Sequence, residues 1–256
     1  MPKKNRADVA LVDRGLVESR TRAQALIMAG VVFSGEEKIS KAGHQIKDDQ
    51  PLDVRGKDHP WVSRGGLKLA KGLDHFEINP SGWTVIDVGA STGGFTDVAL
   101  TNGAVRVYAV DVGRGQLAWK LRQDDRVIVH EKTNARYLDA ALIPDPIDLV
   151  VCDASFISLK TVLPAAMALV KSGGHLIALI KPQFEVGKDN VGKGGVVRDP
   201  ALHQSVCDDI KDWLNETGCW RVDGLTESPI KGPEGNIEFL IAATKIEEDQ
   251  IDNDIS

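Results

Sequence analysis

Five short apolar runs constrain this chain more than anything else in it: 84–88, 105–110, 127–130, 147–152 and 176–180. Each is nearly continuous in aliphatic residues rather than alternating with polar ones, the pattern of strands buried on both faces. Helical stretches separate them, and strand–helix alternation implies a parallel sheet with helices on both faces. The best-marked helix covers 200–217. Asp199 caps it, Pro200 takes its first position, and Leu202, Val206, Ile210, Trp213 and Leu214 form its apolar stripe, with Gly218 as the stop. Runs 220–225 and 237–242 follow with only a turn-rich segment between them, which predicts an antiparallel pair. The fold class is therefore α/β. At 256 residues the chain has room for a smaller unit beside that sheet.

The smaller unit lies in front. Residues 7–17 read as a short amphipathic helix, with Gly15 at the approach of a turn. Ser19 caps a second helix, whose apolar face is Ala23, Leu26, Ile27 and Met28 and whose stop is Gly30. Short strands at 31–33 and 50–54 complete an α+β unit over 1–58. The charge divides at the same place. Residues 1–71 hold 14 Lys/Arg against 9 Asp/Glu, whereas 72–256 hold 17 against 28. A basic front on an acidic body points to a polyanion-binding end, although the net charge is -6. Arg14, Arg20 and Arg22 concentrate that charge on the helix pair and are candidate RNA contacts. Residues 59–63 read as a linker in which Trp61 demands burial, favouring a packed junction. The large domain then covers 64–246, and 247–256 is an acidic, solvated tail.

Several classes are disfavoured. The longest apolar runs are far too short to span a bilayer, and the first residues lack an apolar leader. Cys152, Cys207 and Cys219 show neither metal nor redox spacing, which predicts a reducing, cytoplasmic setting. The six histidines show no metal spacing either, so no metal is expected.

The first strong strand runs into Asp87-Val-Gly-Ala-Ser-Thr-Gly-Gly-Phe-Thr and opens a helix. Gly89 permits a tight turn, and Gly93 and Gly94 would let backbone approach a ligand. The spacing is neither the dinucleotide fingerprint nor a Walker loop, which disfavours a pyrophosphate or a nucleoside triphosphate. Asp111 ends the next strand, where an acid can hold both hydroxyls of a ribose. A short glycine loop with that acid favours an adenosine ligand without a pyrophosphate.

That loop resembles a known family once three further stretches are read with it: Ala-Val-Asp-Val-Gly, Cys-Asp-Ala-Ser-Phe-Ile-Ser-Leu and Ile-Lys-Pro-Gln-Phe-Glu-Val-Gly. Their order is similar to the TlyA family of ribosomal RNA 2′-O-methyltransferases, often labelled haemolysins. These have a Rossmann-like, FtsJ-like domain behind an S-four-type RNA-binding module, and residues 6–56 resemble that module. The resemblance implies S-adenosylmethionine as cofactor and ribosomal RNA or ribosomal subunits as partner. It implies that Gly89, Ala90, Ser91, Gly93, Gly94 and Phe95 line the methionine and ribose, and that Asp111 and Val112 hold the ribose and adenine. It places Asn134 near the adenine and Asp153 near the sulfonium.

FtsJ-like enzymes use a Lys-Asp-Lys-Glu set, matched here by Lys68, Asp153, Lys181 and Glu238. The resemblance makes Lys181 the base for a ribose hydroxyl, Asp153 its orienter, Lys68 a positive neighbour that favours the neutral amine and holds phosphate, and Glu238 the partner of Lys68 or the ribose. Asp153 and Lys181 each end a buried strand on the same sheet edge, where such sheets place their chemistry. Glycine-rich 184–197 is expected to be a mobile loop over the substrate, with Lys188, Lys193 and Arg198 in reach of phosphates. The competing readings are a membrane-damaging haemolysin, an RNA-binding protein without transferase activity, and a nicotinamide-dependent oxidoreductase.

Overall fold

The computed structural model of the protein describes residues 4–17, 19–54, 59–232 and 234–246. The expected acidic tail, 247–256, lies outside them. The chain divides into two compact units, Met1–Pro60 and Trp61–Ser256. Residues 61–63 of the expected linker fall in the second unit. Trp61 and Val62 pack against the apolar cluster of the second unit, and Val62 N–H donates to Asp97 Oδ2 at 2.7 Å.

In the front unit, β1 (Lys4–Arg6) leads into α1 (Ala7–Asp13), followed by α2 (Arg20–Met28) and β2 (Val32–Ser34). Then come β3 (Glu37–Lys38), β4 (Gln45–Lys47) and β5 (Asp53–Val54). β1 pairs with β4, and β2 lies between β3 and β5, all antiparallel. The first helix stops at Asp13 rather than running to 17, because Gly15 turns the chain at φ +66°. Ser19 caps α2 as expected, accepting from Arg22 N–H at 3.2 Å. Strands β1, β3 and β4 are too short and polar to show an apolar period, so nothing in the sequence marked them. The unit closes on Ala7, Leu11, Ala23, Ile27, Val32, Ile39 and Ile46.

Asp8 sits fully buried among these apolar residues. Its carboxylate accepts from Arg6 at 2.9 Å, Gln24 at 2.9 Å and Arg20 at 3.0 Å. The hydrogen bond from Arg6 leads the causes that hold this carboxyl far below the usual carboxylate range, with Gln24 and Arg20 adding to it.

The second unit is a seven-stranded sheet. β6 (Thr84–Val88), β7 (Arg106–Val110), β8 (Val127–His130), β9 (Ile147–Cys152) and β10 (Val170–Ile180) run parallel, and β11 (Trp220–Glu227) and β12 (Phe239–Lys245) complete it. Numbering these strands one to seven, their order across the sheet is 3-2-1-4-5-7-6. β12 is antiparallel to both neighbours, as the short connection predicted.

Burial on both faces explains the continuous apolar runs. Along β9, Ile147, Val150 and Cys152 enter one cluster while Leu149 and Val151 enter the other. The first cluster takes in α6 (Leu159–Val162), α7 (Pro164–Ala168) and α9 (Pro200–Glu216). The second takes in α3 (Gly66–His75), α4 (Gly94–Thr101) and α5 (Trp119–Arg122). Asp199 does cap α9, accepting from Ala201 N–H. Its buried stripe is His203, Val206, Cys207, Ile210 and Leu214, with Leu202 and Trp213 only half-buried. The 3.6-residue period is kept, but the stripe is turned by one position, because His203 has a backbone partner inside and does not need water.

Replacing Asp8 with Ala removes four hydrogen bonds, from three residues, to a buried charge and should cost the front unit about 2–3 kcal/mol. Hydrogen exchange of the front-unit amides in the full chain reads this loss. The folded carboxyl is depressed, so its contribution is present above the unfolded pKa of about 4 and fades as pH falls below it. Asp8→Ala should flatten that acid limb.

Candidate active site

Parallel strands deliver their C-terminal ends to one edge, and the crevice forms where the chain's crossovers change direction, between β6 and β9. Two cavities open there, of about 520 and 460 Å³. Both are lined by Gly89, Ser91, Asp153, Ser155 and Phe156, so they form one continuous groove.

The first cavity gathers Lys68 from α3, Asp153 just past β9, Lys181 just past β10 and Glu238 just before β12. Lys68 Nζ donates to Glu238 Oε2 at 2.7 Å and to Asp153 Oδ2 at 3.4 Å. Lys181 Nζ lies 2.6 Å from Asp153 Oδ1, an ion-pair contact out of line for a hydrogen bond. Its aligned bonds go to the Asp153 carbonyl at 3.1 Å and to Ser155 Oγ at 2.8 Å. The two lysine side chains are 9% and 7% exposed and Glu238 is 1% exposed, so the set is charge-balanced and nearly dry. Asp153 touches both cations. Ser155 lies in the Cys-Asp-Ala-Ser stretch, where the family resemblance assigns it no role. Only its position two residues past a strand-end Asp could have suggested it.

The second cavity is lined by Asp111, Val112, Gln116, Asn134, Ala135 and Arg136. Asp111 Oδ2 accepts from Ser91 N–H at 2.8 Å and Oδ1 from Gly113 N–H at 2.6 Å, which ties the glycine loop to the end of β7. A carboxylate has roughly four acceptor positions, so capacity for a diol is left. Val112 is 72% exposed at the rim. Asn134 lines the cavity while its Oδ1 caps a short 3₁₀ turn by accepting from Arg136 N–H.

The glycines also serve packing. A Cβ on Gly93 would enter Leu121 and Leu117, and one on Gly94 would stand 2.9 Å from the Gly66 nitrogen. Close packing within the protein already requires both to be bare, and Gly94 also lines the first cavity. Gly89, at φ +81°, would place a Cβ 3.0 Å from the Ala154 backbone, so its bareness lets β6 and β9 end side by side. Ala90 and Phe95 are buried beside the loop and border the first cavity.

Asp87 was quoted within the loop motif but given no role. It is fully buried and borders the first cavity. Its Oδ2 accepts from Thr96 N–H at 2.9 Å and Thr96 Oγ1 at 2.6 Å, while Oδ1 has no partner. Burial pushes this carboxyl up to about 7; Thr96 opposes the shift, and the negative charges of Asp153 and Asp111 add to it. An acid inside an apolar strand, answered nine residues later by a threonine, was the available signal.

The candidate RNA contacts have varied surroundings. Arg14 donates to the carbonyls of Gln50, Lys47 and Asp48, and Arg20 to Asp8, so both first serve the front unit's own fold. Both remain exposed with further N–H groups to offer, and Arg22 is exposed. Lys193 and Arg198 are exposed near the cleft, and the side chain of Lys188 lies outside the described residues. Segment 184–197 is not the free loop expected: α8 (Pro182–Glu185), a 3₁₀ turn and a small bridged hairpin occupy it, and Val196 and Val197 are buried. Among the described residues no group of acids, histidines or cysteines is placed to hold a metal, and no helix is long and apolar enough to cross a membrane.

Sheet order, glycine loop and strand-end acids define the class: a Rossmann-like methyltransferase. A family described as FtsJ-like methyltransferase matches residues 61–245. A Bacillus subtilis protein provisionally named rRNA methyltransferase YqxC is 50% identical over 240 residues, which cover 93% of this chain and 85% of that one. The 16S/23S rRNA (cytidine-2'-O)-methyltransferase TlyA of Mycobacterium tuberculosis is 46% identical over 242 residues, covering 94% and 90%. The solved structure of a Streptococcus thermophilus protein, provisionally named a hemolysin, aligns with TM-score 0.76 and 44% identity, covering 96% and 90%. The chain belongs to the TlyA family of FtsJ-like methyltransferases.

The raised Asp87 carboxyl has a measurable consequence. Between the unfolded pKa of about 4 and the folded value of about 7, the folded protein holds a proton that the unfolded chain has lost. Stability of the ligand-free protein should therefore fall as pH rises through that window, with a limiting slope of about 1.4 kcal/mol per pH unit for one proton. Asp87→Asn should remove this component, seen in thermal midpoints taken from pH 4 to 8.

Proposed function

We propose that the chain is an S-adenosylmethionine-dependent 2′-O-ribose methyltransferase acting on ribosomal RNA. The observation that carries this reading is the set Lys68, Asp153, Lys181 and Glu238, largely buried and assembled at one cavity that shares its lining with a second, acid-flanked one.

The groove suits the cofactor. Asp87 offers an unpartnered buried acceptor where a cationic amine would be satisfied, and Asp111 offers a carboxylate for a ribose diol. The second cavity, with Val112, Asn134 and Ala135, is left for an adenine. Bound there, S-adenosylmethionine supplies an electrophilic methyl group. Everything else falls to the chain. Lys181, oriented by Asp153 and Ser155, acts as the base for the proton of the ribose 2′-hydroxyl. Lys68, fixed by Glu238, adds positive charge beside the incoming phosphodiester. The basic front unit, with Arg22, Arg14 and Arg20, supplies sequence-tolerant affinity for structured RNA that weakens with salt. The relatives' names support ribosomal RNA as that substrate. A membrane-damaging role gains nothing from the described helices.

Lys181→Ala should lower methyl transfer by about 10²–10⁴-fold, the usual worth of a general base, while cofactor and RNA affinities hold. Lys181→Arg should fail almost as badly, because guanidinium does not deprotonate. Substantial transfer by Lys181→Arg would mean that the lysine only supplies charge. Asp111→Ala should weaken cofactor binding by about 1–3 kcal/mol in calorimetry. Mapping ribose methylation in cells with and without the gene decides the substrate; identical maps would overturn the reading.

A further inference from the structure

Segment 187–198 borders the cleft and carries none of the four charged groups Lys68, Asp153, Lys181 and Glu238. Its centre is a tight hairpin in which Gly192 and Val196 form an antiparallel bridge. Gly194 and Gly195 turn between them at φ +79° and +75° and line the catalytic cavity. A two-glycine turn is intrinsically loose, since glycine loses more freedom on ordering than any other residue.

Two buried polar side chains hold it. Asn236, 1% exposed, accepts from Val197 N–H through Oδ1 at 3.0 Å and donates through Nδ2 to Gly195 O at 2.9 Å. His203, on α9, donates from Nε2 to Val197 O at 2.9 Å and packs edge-on against Phe239. The side-chain amide thus stands in for a strand partner to residues 195 and 197. Asn236 is itself fixed, because its carbonyl accepts from Gly232 N–H at 2.9 Å. Two residues further on is Glu238, the partner of Lys68.

We propose that Asn236, assisted by His203, is a positioning residue for the RNA: it holds the 193–195 turn as a rigid wall of the cleft, referenced to the same backbone that carries Glu238. This rests on the reading of the chain as an RNA methyltransferase. Without the clamp the turn samples many conformers, and the substrate must order it on arrival. The cost then falls on RNA binding. The Lys181 contacts to Asp153 and Ser155 lie on other segments, and 192–197 contributes nothing to the second cavity. The chemical step and the adenosine end should therefore be spared.

The test uses full-length Asn236→Ala. KM for RNA should rise about tenfold, the scale of losing two buried hydrogen bonds with partial resolvation, while kcat and cofactor Kd stay within about threefold. Tryptic cleavage after Lys193, at the exposed tip, should speed up by a similar factor, and His203→Ala should change both readouts in the same direction. Faster cleavage with unchanged KM would overturn the proposal, as would an unchanged cleavage rate. So would a joint fall of kcat, cofactor affinity and thermal midpoint, the mark of a general structural role. If the wild-type protein transfers no methyl group to RNA, the functional reading falls and takes the RNA role with it. Accelerated cleavage would then still identify Asn236 as the clamp of the turn.

Discussion

Two ammonium groups held out of water in one cleft set the terms for the rest of this molecule. Removing a charge from water costs several kcal/mol unless a counter-charge and hydrogen bonds are in place. Lys68 meets that condition with Glu238 and Asp153, and Lys181 with Asp153 and Ser155. The four charged groups come from α3 and from the ends of β9, β10 and β12, so none can be placed until the sheet exists. The parallel sheet supplies this placement at no extra cost. Its strand ends converge on one edge, and its two apolar faces, filled by Leu149 and Val151 on one side and Val150 and Cys152 on the other, make the register of β9 unforgiving. A slip of one residue would turn Asp153 away from both lysines.

The cofactor loop and the charged set share backbone, not only a cavity. β6 and β9 are neighbours in register, with Val88 opposite Cys152. Gly89 and Ala154 follow directly, with no room between them for a side chain on Gly89. Movement of the glycine loop is therefore movement of Asp153. On the far side, Asp111 binds the Ser91 amide of that loop and the Gly113 amide of the turn after β7, and Glu131 holds the same turn by accepting from Gly115 N–H at 2.7 Å.

The large unit was legible because its physics is repetitive. Buried parallel strands write continuous apolar runs, and a well-capped helix such as α9 writes its ends with Asp199, Pro200 and Gly218. The charged tetrad was legible only as a set in family order, since each member alone reads as a surface charge. What the sequence hid is polar and tertiary. Asp8, Asn236 and His203 are buried hydrophilic residues whose partners lie on other elements, from six to 39 positions away for Val197 alone, and no local period announces them. For the same reason segment 184–197 reads as a loose glycine loop. Its order is conferred from outside, by an amide 39 positions away from Val197. The packing of Gly93 against Leu121 and of Gly94 against Gly66 was likewise hidden, because composition does not show what a glycine's missing side chain makes room for.

Two acids near the switch point have opposite circumstances, and the contrast says what the groove still lacks. Asp153 has lysines on both sides and is already compensated. Asp87, buried on the neighbouring strand, receives only the two donors of Thr96, keeps one oxygen bare, and is pushed up to about 7 by burial with Asp153 and Asp111 adding to the shift. The site therefore does not call for a further anion. It calls for positive charge beside Asp87, which none of the described residues supplies. The proposed cofactor brings an ammonium and a sulfonium, and a cation that reaches Asp87 lets the carboxyl ionise at neutral pH. Ligand binding and folding stability are then linked through one proton: a cation that stabilises the ionised form of Asp87 stabilises the native protein, less the cost of removing that proton at the working pH.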